Sequence, residues 1–227
     1  MRKIQRLAAI GALAALTTVV GACGSTQATT ENQASAPASS SAMPTGEATA
    51  PTGSGVTKIS DIFGPACAQV PQQGPGSAQG MVNDPVATAA SHNPLLTTLT
   101  KAVTTANLVD TLNNAPAITV FAPADPAFAA LEVQHPGVLT QLTTAPNVTS
   151  PDSQLSKILT YHVVGQRYDA AGIVQAATLT SLEGAKLTIG GTPAAPTING
   201  APVLCGNIPT KNATVFVIGQ VLTPPAS

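Results

Sequence analysis

Ile118-Thr119-Val120-Phe121-Ala122-Pro123-Ala124-Asp125-Pro126-Ala127-Phe128-Ala129-Ala130-Leu131 is the stretch on which the fold turns. Ile118 and Val120 alternate with Thr119 and Phe121, the two-residue period of a strand built from β-formers. Pro123 has no amide hydrogen to give a ladder, so the strand is expected to stop at Ala122 or Pro123. Asp125 stands just before Pro126, where a carboxylate can cap the free amides of a helix and a proline in the first turn forfeits no hydrogen bond. A short helix should follow, with Phe128 and Leu131, three apart, on its buried face. Strand, proline corner and capped helix describe a structural junction rather than a catalytic loop.

Outward from this junction the elements divide into helices first and strands later. Upstream, Pro85–Ser91 suits a short helix, and the apolar spacing from Leu95 to Val109 predicts one helix or two abutting ones over Pro94–Leu112, stopped by Asn113-Asn114. Residues 64–84, dense in Gly, Pro and Gln, should wrap the surface. Downstream, Pro136–Leu142 is a weaker helix. Asp152 or Ser153 caps a stronger one carrying Leu155, Ile158, Leu159, His162 and Val163, although Tyr161–Gly165 could equally be extended. Asp169–Ala176 is a further short helix. The period then becomes two over Leu179–Leu182, Ala185–Ile189, Thr197–Asn199 and Thr214–Leu222, with Asn199-Gly200 as a hairpin signal. This order argues for an α+β fold.

Two motifs resemble those of the fasciclin-type domain. The first is the T-V-F-A-P core of the opening stretch, with Ala124 where the family usually has threonine, so that capping would pass to Asp125. The second is Ile158-Leu159-Thr160-Tyr161-His162-Val163-Val164, in the same order along the chain. The resemblance covers about residues 85–224 and implies a fasciclin-like wedge, a β-sandwich flanked by several helices. Tyr161 and His162 are intact, and the resemblance implies a cell-adhesion contact at this pair. Read from the residues alone, His162 is a core histidine bonded to backbone groups and Tyr161 packs a seam. The whole layout is most similar to mycobacterial immunogenic cell-surface lipoproteins and their secreted relatives.

The N-terminal region reads as an export signal. Arg2, Lys3 and Arg6 precede an apolar run, Leu7–Val20, too short to span a bilayer comfortably. Val20-Gly21-Ala22-Cys23 resembles a bacterial lipobox, making residues 1–22 a lipoprotein signal peptide and Cys23 the site of acylation by chains such as palmitate; an ordinary secretory signal is the other reading. Two acyl chains hold a protein stably on a membrane where one is marginal. Residues 23–57, rich in Ala, Ser, Thr and Pro with Glu31 and Glu47 as the only charges, cannot offset the entropy of ordering. They read as a flexible tether, either bare or carrying O-linked sugar at Thr45, Thr49 and Thr52. The remaining 170 residues, 58–227, are enough for one domain with its own core.

Loss of residues 1–22 leaves six basic against ten acidic side chains, which disfavours nucleic acid as a partner. With Cys23 acylated, Cys67 and Cys205 form an even pair in an exported protein and are expected to be a disulfide rather than two free buried thiols. His92, His135 and His162 have no metal-ligand spacing, and G-x-S-x-G, P-loop and CxxC motifs are missing from the sequence. No catalytic residue, metal or cofactor is expected. The expected protein is a non-enzymatic surface antigen on the outer face of the cell membrane, partly shed or secreted. Acylated Cys23 holds it to the membrane, and its domain adheres to a host receptor or extracellular matrix. The alternative is a carrier of an apolar small molecule or envelope lipid. Receptor and oligomeric state stay open.

Overall fold

The computed structural model describes residues 55–225. Two short 3-10 turns, Ile59–Asp61 and Cys67–Gln69, lead into four helices: α1 (Ala78–Met81), α2 (Val86–Ser91), α3 (Thr97–Thr105) and α4 (Val109–Asn114). Strand β1 (Ile118–Pro123) follows, then α5 (Asp125–Gln134), α6 (Val138–Thr144), α7 (Gln154–Tyr161), β2 (Val163–Val164) and α8 (Ala170–Ala176). The chain finishes in β3 (Thr178–Thr180), β4 (Lys186–Thr192), β5 (Ala195–Ile198), β6 (Ala201–Pro209) and β7 (Ala213–Ile218).

The strands form one sheet in the order β2-β1-β7-β6-β5-β4-β3. Among the described strands only β1 and β7 run parallel, pairing Ile118 with Ala213 through Pro123 with Ile218. The sheet curls until its ends meet: Val164 bridges to Ser181, and the Leu182 amide donates to the Val163 carbonyl at 2.7 Å. Curling turns a single sheet into two facing walls, with α8 packed on the interior between them and the other helices outside, an α+β wedge.

Every residue of β1 and β7 is buried because each strand serves two cores. Val120, Ala122, Val215 and Val217 face the helices, where Leu99, Val103, Leu155 and Leu159 pack on them. Their alternating neighbours Phe121, Phe216 and Ile218 face inward onto Leu187, Ile198 and Ile173. The Phe121 and Phe216 rings are tilted at 38° with centroids 5.8 Å apart, within the favourable range for an aromatic pair.

The junction folds as expected except at its cap. β1 ends at Pro123 and α5 begins at Asp125 with Pro126 in its first turn, but the Asp125 side chain does not cap α5. Its carboxylate accepts instead from the Thr98 amide at 2.8 Å and from the Thr97 hydroxyl at 2.7 Å, capping α3 across the helical layer. Partial burial raises its pKa, but the hydrogen bonds from Thr97 and Thr98 outweigh that and hold the carboxyl below its ordinary value. Ser153 and Asp169 cap their own helices, accepting from Ser156 N and Gly172 N.

Strand β6 has no period-two signal in the sequence. Its pairing with β7 shifts register between Val203 and Cys205 and again between Cys205 and Ile208, and Asn207 has a φ of 56°. Such bulges disrupt the alternation. Gly206 lies under the Phe63 ring; a Cβ there would come within 2.5 Å of it. At the β5–β6 hairpin, Asn199 and Gly200 both have positive φ, 50° and 84°, as a primed turn requires.

The segment before α2 is tied down, not merely wrapped around. Cys67 and Cys205 are joined by a disulfide with a Cα–Cα distance of 5.0 Å, and Val70 and Met81 are buried. Residues 55–57, assigned above to the tether, belong to the packed domain: Gly55 is buried, and its carbonyl accepts from the Thr214 hydroxyl at 2.7 Å.

Candidate functional site

Tyr161 and His162 occupy the point where α7 gives way to β2, and the change of direction sends them into different cores. Tyr161 is 2% exposed among the sheet-interior residues. Its hydroxyl donates to the Lys186 carbonyl at 3.1 Å and accepts from the Asn199 amide at 2.7 Å, tying α7 to β4 and to the β5–β6 turn. His162 is 3% exposed on the helical side. The Leu222 amide donates to its Nε2 at 2.9 Å, so that nitrogen carries no proton. The proton is on Nδ1, which donates to the Ile158 carbonyl at 2.8 Å. Burial, opposed only by the bond to Ile158, pushes the imidazole pKa down to about 4.

The adhesion contact expected at Tyr161 and His162 is therefore corrected. Both side chains are enclosed and spend their polar atoms on the fold, so neither can reach a partner without unfolding the seam. The pair joins the two walls of the sheet and anchors the C-terminal segment.

Below His162 lies a cavity of about 350 Å³ between α3, α5, α6 and α7, closed on one side by Val221 and Thr223. Phe128, Leu131, Leu139, Leu142, Leu155 and Ile158 supply most of its apolar wall. Lys101 and His135 are its exposed basic side chains, and among the described residues no aspartate or glutamate lines it. Leu131 and Ile158, at ordinary helical spacing in the sequence, are only half buried because they border this cavity. Arg167 is a second polar feature that sequence inspection missed. Its guanidinium donates to the Thr210 and Ala213 carbonyls and the Thr214 hydroxyl, and partial burial lowers its pKa. These contacts bolt the β2–α8 loop to β7.

Cys23, Thr45, Thr49 and Thr52 lie outside the described residues. Among the described residues, no group of histidine, cysteine or carboxylate side chains could hold a metal ion, and no helix is long and apolar enough to cross a membrane. Asn212, within a glycan sequon, is buried; its side-chain oxygen accepts from Val86 N, and its amide donates to Leu112 and Ala115 carbonyls, leaving no room for a sugar.

The Fasciclin domain family model matches residues 94–224. The immunogenic protein MPB70 of Mycobacterium bovis is 42% identical over 174 residues, 73% of this chain and 84% of its own. The cell surface glycolipoprotein MPB83 of the same species is 40% identical over 228 residues, 96% of each chain, and MPT83 of Mycobacterium tuberculosis matches to the same extent. Among solved structures, a FAS1 domain pair from the insect cell adhesion molecule fasciclin I superposes with a TM-score of 0.55 at 18% identity, a likeness of fold alone. It covers 65% of this chain and 52% of that one, so the chain spans about half of the pair.

Proposed function

Because this chain belongs to the Fasciclin domain family, we propose that it is a non-enzymatic cell-surface protein, anchored through acylated Cys23, whose domain contacts host cells or extracellular matrix and is recognised as an antigen. The observation that carries this reading is the extent of the similarity to a cell surface glycolipoprotein. At 96% of both chains it runs through the signal-like segment and tether as well as the domain. That relative's name also supports the reading of a sugar- and lipid-bearing protein, in which we assign the sugar to Thr45, Thr49 and Thr52 and the lipid to Cys23. The relative described as an immunogenic protein supports the antigen role.

Since Tyr161 and His162 are buried, adhesion falls to the outer surface of the helices and of β3–β5. Metabolic labelling with an alkyne-tagged palmitate tests the anchor. Wild type should take up the label, and Cys23→Ala should lose it and appear in the medium. Label retained by the variant overturns the assignment. For adhesion, beads coated with the full-length protein should bind host cells while beads coated with heat-denatured protein should not; equal binding would discard the domain as the adhesive part. A second reading, carriage of an apolar small molecule or envelope lipid, is favoured by the 350 Å³ cavity.

A further inference from the structure

The cavity between α3, α5, α6 and α7 is larger than a packing defect, and its chemistry is asymmetric. A volume of about 350 Å³ stands near the lower end of the roughly 300–1,000 Å³ usual for ligand pockets, room for one hydrocarbon chain and not for the paired chains of a phospholipid. Phe128, Leu139, Leu142 and Leu155 offer such a chain apolar contact, whereas the exposed lining includes Lys101 and His135 and, among the described residues, no carboxylate. The neighbouring acids are committed elsewhere. Asp125 accepts from Thr97 and Thr98, and Glu132 accepts from the amides of Gly137 and Leu139 at the start of α6. Neutral His162, with both ring nitrogens bonded, presents no charge from within.

Taking the carrier reading as its basis, we propose that this cavity binds a single-chain fatty acid, its hydrocarbon among α5, α6 and α7 and its carboxylate at Lys101 and His135. A free acid is the occupant that matches one apolar chain to a basic mouth. The C-terminal wall, Val221 and Thr223, is tied down by the bond from Leu222 N to His162 Nε2 between them.

The test is displacement of cis-parinaric acid from the purified full-length chain by palmitic acid and by its methyl ester. Palmitic acid should displace the probe about tenfold more effectively than the ester. Lys101→Glu, on the exposed face of α3, should weaken the acid about tenfold and leave the ester unchanged, the scale expected for losing one solvent-exposed attraction and adding a repulsion. Leu131→Trp, which fills the cavity from a half-buried position, should weaken both, with thermal melts alongside to show the fold intact; Ile158→Phe serves if Leu131→Trp melts early. Equal competition by acid and ester, unaffected by Lys101→Glu, overturns the fatty-acid assignment while leaving an apolar carrier standing. Failure of both ligands to displace the probe, or saturable probe binding that ignores the cavity-filling variants, removes the site itself.

Discussion

The interior of the curled sheet and the layer between sheet and helices are both apolar, yet they are packed differently. Inside the sheet, Phe121, Phe216, Leu187, Ile198, Ile173 and Ile218 are wholly enclosed. In the helical layer, Leu99, Phe128, Leu142, Leu155 and Leu159 keep 5–8% of their surface, and a 350 Å³ cavity lies among them. Facing walls of one sheet interdigitate side chain by side chain, because alternation puts a residue from each strand into the same space. Helices of six to ten residues cannot do this: each ends within a few turns and leaves a gap where the next begins. The well-filled region holds the fold, and the loosely filled one has room for a ligand.

Truncations separate the two regions most sharply. Phe216→Ala, in the sheet interior, should cost about 3–5 kcal/mol of unfolding free energy in urea titrations, because the enclosed site cannot collapse. Next in size is loss of the disulfide. Its 138-residue separation puts the chain-entropy effect at about 5 kcal/mol as an upper figure, with about 2–4 typical. Cys67→Ser with Cys205→Ser should lower the melting temperature and bring early proteolysis in residues 64–84. Resistance to protease there would show that Val70, Met81 and Phe63 hold the segment alone.

Histidine 162 supplies a pH test of the helical side. Unfolded, it takes a proton near pH 6.5; folded, only near 4. The unfolded state therefore binds more protons between these values, so this contribution is undiminished above pH 6.5 and stability falls as pH drops toward 4, by on the order of 3 kcal/mol. His162→Gln should flatten that part of the pH profile; an unchanged slope would assign it to other groups. Smaller again, Leu142→Ala beside the cavity should cost about 2 kcal/mol, the low end for such a change, since its neighbours already border a void. A cost equal to that of Phe216→Ala would abolish the distinction between the regions. Smallest is Asp125→Ala, about 1 kcal/mol for an uncapped α3, seen as faster hydrogen exchange at Thr97 and Thr98 with α5 amides unaffected.

Much of the fold was legible in local spacing. β1, α2, the helical run that becomes α3 and α4, α7, and the Asn199-Gly200 turn follow from periodicity and turn chemistry within a few residues, while the break between α3 and α4 and the choice of Ser153 over Asp152 as the α7 cap came only with the structure. β6 was not legible, because Pro202, Gly206, Asn207 and Pro209 interrupt its alternation and the strand is held by partners on both sides, β5 and β7. The site was read less well. The residues that make the cavity are ordinary apolar helix positions, and nothing in their spacing says that α5, α6 and α7 fail to close over them.

By itself, then, the sequence determined most of the helices and strands, β6 excepted, the α+β order and the family motifs, because those depend on interactions within a turn or between neighbouring residues. Only the tertiary structure decided that Asp125 caps a helix 28 residues away, that adjacent Tyr161 and His162 enter opposite cores, and that a cavity with Lys101 and His135 in its lining lies beneath His162. Each of these depends on groups brought together by closure of the sheet, and no local pattern records a distance across space.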